Sequence, residues 1–224
     1  MTITKAAVKL NSAWRRARPG GRRLPVLFLM SDPDRLPDPR PYLHRLPRGA
    51  GVILRCYGAN PGDAPSRVQA HYRRKAHRLR KACHARGLWL LIAGDDHLAA
   101  QARADGIHLG EWRLGRGAWK RGPARARRGL VTASCHGRAA LSRAAAAGVD
   151  AVLLAPVFAT ESHPDARILG PLRFAALVRQ CRLPVFALGG IGPANIGRLE
   201  PTGAAGIAVI GAIIEDGEPL RING

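Results

Sequence analysis

Short apolar runs recur along the chain, with turn residues between them. They cover residues 24–30, 51–57, 88–93, 106–109, 130–134, 151–155, 184–188 and 206–210. The runs are continuous rather than alternating, the pattern of parallel strands covered on both faces. Eight strands are therefore expected. Several segments between them read as helices. Residues 65–86 carry Val68, Tyr72, Ala76, Leu79 and Cys83 on one stripe, three or four apart, with arginines and lysines opposite. Asp63 is placed to cap that helix and Gly87 to end it. Further helices are predicted over 137–147, closed by Gly148, over 172–181, opened by Pro171, and over 193–199, with Pro193 in the first turn. The segments after the first and fourth strands are rich in Pro or Gly and predict only short turns.

Strand–helix alternation repeated about eight times reads as an α/β fold, a single-domain (β/α)₈ TIM barrel over residues 24–214. An open doubly wound sheet fits less well. Its dinucleotide fingerprint should follow the first strand, and Met30-Ser31-Asp32-Pro33-Asp34 holds no glycine. Residues 1–23 are polar and basic and end in Pro19-Gly20-Gly21. They are expected to form an N-terminal arm or short helix outside the barrel. Residues 215–224 have little apolar periodicity, so a short tail is expected there, with the last helix short or absent.

Composition narrows the partners. The net charge of +21 comes from 36 basic against 15 acidic residues. The basic residues are overwhelmingly Arg, with Ala and Gly also inflated, which fits a compositional bias. A basic surface could attract nucleic acid, but no aromatics are interleaved to stack bases, and a nucleic-acid partner is not expected. No apolar run approaches the ~20 residues that cross a bilayer. Nor does a cleavage pattern follow the first run. A cytoplasmic protein without a membrane partner is expected, with a homo-oligomer left open. Cys56, Cys83, Cys135 and Cys181 are scattered, which argues against a disulfide framework or a structural zinc.

In a barrel of this kind the chemistry sits at the C-terminal ends of the strands. Those ends bring Arg55 and Tyr57, then Asp95 and Asp96, His108 and Glu111, Ser134 and His136, and Thr160, Ser162 and His163. The seventh strand runs into Gly189-Gly190-Ile191-Gly192-Pro193, and the eighth ends at Ile210-Gly211. Glycine lets backbone N–H groups approach an anion, and the loops after strands seven and eight commonly bind phosphate. Gly189, Gly190, Ile210 and Gly211 are therefore candidate phosphate-binding residues. His136 suits proton transfer, because imidazole titrates near neutral pH. Arg55 could hold a carboxylate or phosphate through two hydrogen bonds. His108, on a buried strand, reads as a hydrogen-bonded core residue. Cys135 and His136 are neighbours on a strand and face opposite ways, so no nucleophilic Cys–His pair is expected.

The order of several motifs resembles one family. Ala104-Asp105-Gly106-Ile107-His108-Leu109-Gly110 is similar to A-D-G-x-H-L-G, and Ser134-Cys135-His136 to S-x-H. Ala155-Pro156-Val157-Phe158-Ala159-Thr160 resembles G-P-V-[FY]-x-T, and residues 184–191 resemble P-[VI]-x-A-[IL]-G-G-I. Residues 203–210 resemble G-A-[DA]-G-[IV]-A-V-[IM]. Together they resemble the thiamine phosphate synthase / TenI family over residues 51–213. The resemblance implies a barrel that binds a thiazole phosphate. One branch joins it to a pyrimidine diphosphate and releases pyrophosphate. The other, the thiazole tautomerase, moves a proton on the thiazole carboxylate phosphate, and His136 aligns with its acid–base group. Ser134, Thr160, Ser162 and His163 would then contact substrate.

Departures from the synthase pattern concern its other half. Q-L-R-x-K becomes Ile53-Leu54-Arg55-Cys56-Tyr57, N-D-R becomes Ala93-Gly94-Asp95, and Q-x-D becomes Glu111-Trp112-Arg113. The loop lysine of T-x-T-K becomes His163. Magnesium would be needed only on the synthase reading, and no cofactor is expected otherwise. A relocated magnesium site could draw on Asp95, Asp96 and Glu111. The expectation is an enzyme of this family acting by proton transfer on a small phosphorylated thiazole-type ligand. The alternatives are a synthase with a rearranged metal site and a non-catalytic barrel binding a phosphorylated metabolite.

Overall fold

The computed structural model describes residues 2–18, 23–56, 66–115, 129–160 and 166–212. Eight parallel strands close in sequence order: β1 Leu27–Met30, β2 Gly51–Arg55, β3 Trp89–Ala93, β4 Gly106–Leu109, β5 Leu130–Cys135, β6 Ala151–Leu154, β7 Val185–Leu188 and β8 Gly206–Val209. The expected (β/α)₈ barrel is thus the observed architecture. Six of the strands are one to three residues shorter than their apolar runs, because the runs continue into the loops that the barrel also buries.

Each strand buries both faces. One set of side chains, including Phe28, Met30, Ile53, Leu91, Leu130, Leu153 and Phe186, fills the barrel interior. The alternate set, such as Leu27, Leu29, Val52 and Leu54, packs outward against the helices. Phe28 and Phe186 meet edge to face, 4.9 Å apart. Space for them comes from two strand-start glycines. A Cβ on Gly51 would lie 2.5 Å from Phe28, and one on Gly206 would lie 2.7 Å from Phe186.

The outer layer differs from the sequence reading in several places. Residues 1–23 were expected to form an arm or short helix outside the barrel; α1 (Ile3–Ala17) is a helix, and it packs on β8 and β1 as part of the outer layer. It buries Ile3, Ala6, Ala7 and Leu10, and the Asn11 amide donates to the Ala205 carbonyl at 2.8 Å. Its stripe is narrow and alanine-rich, which hides it within a basic segment. In α2 (Ser66–Ala85), Ala76, Leu79 and Cys83 are buried as expected, whereas Val68 is exposed and Tyr72 half-buried. Only the later turns of α2 reach the barrel wall. Asp63 and Pro65 lie outside the described residues. Gly87, at φ +66°, lets Leu88 N–H reach the Cys83 carbonyl and ends the helix.

A short helix that the pattern did not announce, α3 (Asp96–Gln101), follows β3 and is capped by Asp95. Helices α4 (Arg138–Ala147) and α5 (Gly170–Gln180) match expectation closely. The helix expected over 193–199 is instead a 3₁₀ turn at Ile196–Thr202. Asn195 binds the backbone just before it, and Pro201 lies inside it, so a regular helix does not form. The last-helix and tail expectations fall largely outside the described residues. Among the described residues no helix is long and apolar enough to cross a membrane.

Replacing Asn11 by Ala leaves a buried carbonyl without its donor. The expected cost is roughly 1–3 kcal/mol, read as a lower urea midpoint with an unchanged m-value.

Candidate active site

A cavity of about 1440 Å³ opens at the C-terminal ends of the strands. Arg55, Ser134, His136, Thr160, Gly189, Gly190, Ile210 and Gly211 all line it. The structure therefore gathers these sequence candidates at one mouth. Ser162 and His163 lie outside the described residues.

The glycine loop after β7 has a steric reason. Gly189 and Gly190 have φ of +97° and +61°. A Cβ on Gly190 would lie 2.0 Å from the Ala159 carbonyl oxygen, and one on Gly189 would lie 2.8 Å from Pro156. Only glycine lets this loop lie so close to the loop after β6. Asn195 then holds the loop in shape. Its side-chain oxygen accepts from Gly192 N–H at 3.0 Å, and its amide donates to the Gly190 carbonyl at 2.7 Å. Asn195 lies just beyond the loop in sequence, and its role is legible only from these contacts.

Arg55 is held from β1. Its Nε donates to the Ser31 carbonyl at 2.6 Å, and its guanidinium pairs with Asp32. Burial would raise the Asp32 carboxyl. Hydrogen bonds from Arg35 and Asp34 N–H, and the charges of Arg55 and Arg35, outweigh that and hold it below its ordinary 3.8. Asp32 and Arg35 were not singled out in the sequence. Their position just past the first strand end was the available signal.

His108 is fully buried inside the barrel. Its Nδ1 meets Thr132 Oγ1 at 2.8 Å and its Nε2 meets Ser134 Oγ at 2.9 Å. These contacts run from the core to the cavity wall. Cys135 faces the outer layer, and burial pushes its thiol up to about 12. It is not placed to act with His136 at the mouth.

His136 stands at the mouth, more than half exposed. Its Nδ1 lies 2.7 Å from Glu111 Oε2, and its backbone N–H donates to the same oxygen at 3.0 Å. Arg143 donates to Glu111 Oε1 at 2.6 Å. Arg143 was not a sequence candidate. It lies two turns beyond His136 on α4, a spacing that was readable once α4 was assigned.

A family profile described as thiamine monophosphate synthase matches residues 62–213, well over half the chain. The chain belongs to the thiamine monophosphate synthase family. A thiamine-phosphate synthase of Alcanivorax borkumensis is 33% identical, over 85% of this chain and 86% of the relative. One of Chromobacterium violaceum is 35% identical, over 82% and 86% respectively. Among solved structures, a thiamine phosphate pyrophosphorylase from Pyrococcus furiosus matches with a TM-score of 0.71 and 25% identity, over 89% of this chain and 91% of that one.

Within this family, the synthase pattern places magnesium ligands at the positions of Gly94 and Arg113. The residues present do not fit a divalent cation. Gly94 has no side chain, and Arg113 is itself a cation. Its guanidinium closes on both oxygens of Asp96 at 2.9 and 2.8 Å. The relocated candidates are engaged elsewhere. Asp95 accepts from Leu98 N–H at 2.8 Å as the cap of α3, and Glu111 is held by His136 and Arg143. Among the described residues, no three ligating side chains converge.

The buried histidine makes a pH prediction. Burial, and secondarily the charge of Arg55, push the His108 imidazole from 6.5 down to about 3. It is neutral in the folded chain, whereas the unfolded chain protonates as pH falls through about 6.5. The unfolded state then holds the extra proton, so stability falls from about pH 6.5 downwards by up to ~1.4 kcal/mol per pH unit. Urea titrations between pH 7 and 4 should show this slope in wild type and a shallower one in His108→Gln. Equal slopes would contradict a neutral buried imidazole.

Proposed function

We propose that this family member catalyses proton transfer on a phosphorylated thiazole-type ligand, with no metal in the step. The observation that carries the reading is the Arg113–Asp96 ion pair, in which a guanidinium occupies a position where the synthase pattern has a carboxylate for magnesium. Departure of pyrophosphate needs charge neutralisation that a divalent ion ordinarily supplies. Proton transfer needs only a positioned acid–base group and a held ligand.

In this reading the phosphate sits against the glycine turns after β7 and β8, with Gly189, Gly190, Ile210 and Gly211 close to it. Small residues there let the ligand approach the backbone. Arg55 and Arg35 add positive potential on the β1–β2 side of the cavity. His136 takes a proton from one position of the ligand and returns one to another, so the reaction is an isomerisation and consumes nothing. Ser134, oriented by His108, is placed to hydrogen-bond the ring, and Thr160 borders the same space.

A second reading is favoured by the names of the relatives, which are called thiamine-phosphate synthases. On that reading this chain joins the thiazole phosphate to a pyrimidine diphosphate.

The two readings separate in one pair of assays. The first follows isomerisation of a thiazole carboxylate phosphate by NMR, in EDTA. The second supplies thiazole phosphate, pyrimidine diphosphate and Mg²⁺, and follows thiamine phosphate. The expected result is turnover in the first and little product in the second. His136→Ala should lower kcat by about 10²–10⁴, the usual contribution of an acid–base group. Ready formation of thiamine phosphate would replace the first reading with the second.

A further inference from the structure

Glu111 occupies the place where the synthase pattern has glutamine. It lies in the 3₁₀ turn Glu111–Arg113 after β4, and its side chain is about one-quarter exposed. Its side-chain hydrogen bonds among the described residues point to one arrangement. Oε2 receives the His136 ring nitrogen Nδ1 at 2.7 Å and the His136 backbone N–H at 3.0 Å. Oε1 receives Arg143 at 2.6 Å. All three residues line the cavity.

We propose that Glu111 is a positioning residue that sets the tautomer of His136 and aims its Nε2 into the cavity as the proton acceptor. This rests on the proton-transfer reading above. An ionised carboxylate can only accept hydrogen bonds. Nδ1 must therefore carry the proton, and in the neutral ring Nε2 keeps its lone pair. The second bond, from the His136 backbone, fixes the carboxylate relative to the strand end that carries the ring. Arg143 fixes its other oxygen from α4.

A glutamine in this place would not specify the ring in the same way. Its amide can accept through oxygen or donate through nitrogen, so either tautomer would be tolerated. The substitution therefore adds a function to the position. In the step itself, the Nε2 lone pair takes a proton from the ligand. The electron pair of the broken bond stays on the ligand, and the imidazolium that forms lies against the Glu111 carboxylate. Return of a proton from Nε2 to a second ligand atom restores the neutral ring. Such carboxylate–imidazole pairs orient the ring and stabilise the imidazolium, without the carboxylate taking the proton.

A solvent-exposed ion pair would do none of this and would contribute about 0–1 kcal/mol to stability. The experiment distinguishes that role from positioning. ¹⁵N NMR of side-chain histidines, with His136 assigned from His136→Gln, reports which ring nitrogen is protonated in the full-length protein. Wild type and Glu111→Asp should show the Nδ1–H form. Glu111→Gln, which restores the synthase residue, should show a mixture or the Nε2–H form, with a melting temperature close to wild type. In the isomerisation assay Glu111→Gln should lose roughly tenfold or more in kcat, within the ~10²–10⁴ that a whole acid–base group supplies. KM should stay within about twofold, and Glu111→Asp should recover part of the loss.

A predominant Nε2–H form in wild type, or an unchanged kcat in Glu111→Gln, would overturn the proposal. If wild type shows the Nδ1–H form but no isomerisation, the proton-transfer reading fails, and the catalytic part of this proposal falls with it. The tautomer assignment is decided by the spectrum alone.

Discussion

The interior of an eight-stranded barrel is just wide enough to be filled by side chains, and that filling constrains everything else in this chain. Phe28 and Phe186 take the space between β1 and β7, and they can do so because Gly51 and Gly206 present no side chain to them. Once these rings are seated, the register across β1, β8 and β7 follows: Phe28 lies opposite Ala208 and Phe186 opposite Gly206. A parallel sheet closed in this way sends all eight C-terminal ends to one side. The cavity is the consequence of that closure, and it is lined mainly by the strand ends and the residues that follow them.

At the mouth, ion pairs join the close-packed glycine loop in fixing where the side chains lie. Three carboxylates near the strand ends each meet arginine: Asp32 with Arg55 and Arg35, Asp96 with Arg113, and Glu111 with Arg143. In a chain with a charge of +21 acidic groups are scarce, and among the described residues these three at the mouth are all engaged. These pairings explain why the carboxylates do not assemble into an oxygen-ligand set. A guanidinium offers a planar fork that fits a carboxylate at two points, so Asp96 has both oxygens occupied.

Much of the fold was legible because parallel, doubly covered strands write continuous apolar runs, and β4 was bounded to the residue. The glycine turns were legible for a related reason: positive φ and close backbone approach leave few alternatives to glycine. Other features depended on partners far away in sequence. The buried stripe of α1 is short, with two alanines and a polar Asn11 among its five buried residues, so its contact with β8 was invisible until the strand was in place. The stripe of α2 predicted burial for Val68, but periodicity cannot say how much of a helix the wall beneath it reaches. Glu111 was read as a metal candidate because a lone carboxylate beside a strand end carries no sign of its neighbour. The His136 ring and the Arg143 guanidinium give it a different task. They reach it from the end of β5 and from α4, 25 and 32 residues along the chain.

The hydrogen bond between Asn11 and the Ala205 carbonyl joins residues 194 positions apart. During synthesis, α1 leaves the ribosome long before the strand it must cover exists. Its contact with β1 is available early, but its larger contact with β8 forms only once that strand has been made. Completion of the outer wall over β8 and β1 therefore waits on the final strand. Contacts of such long sequence separation slow folding and lengthen the exposure of unpaired surface.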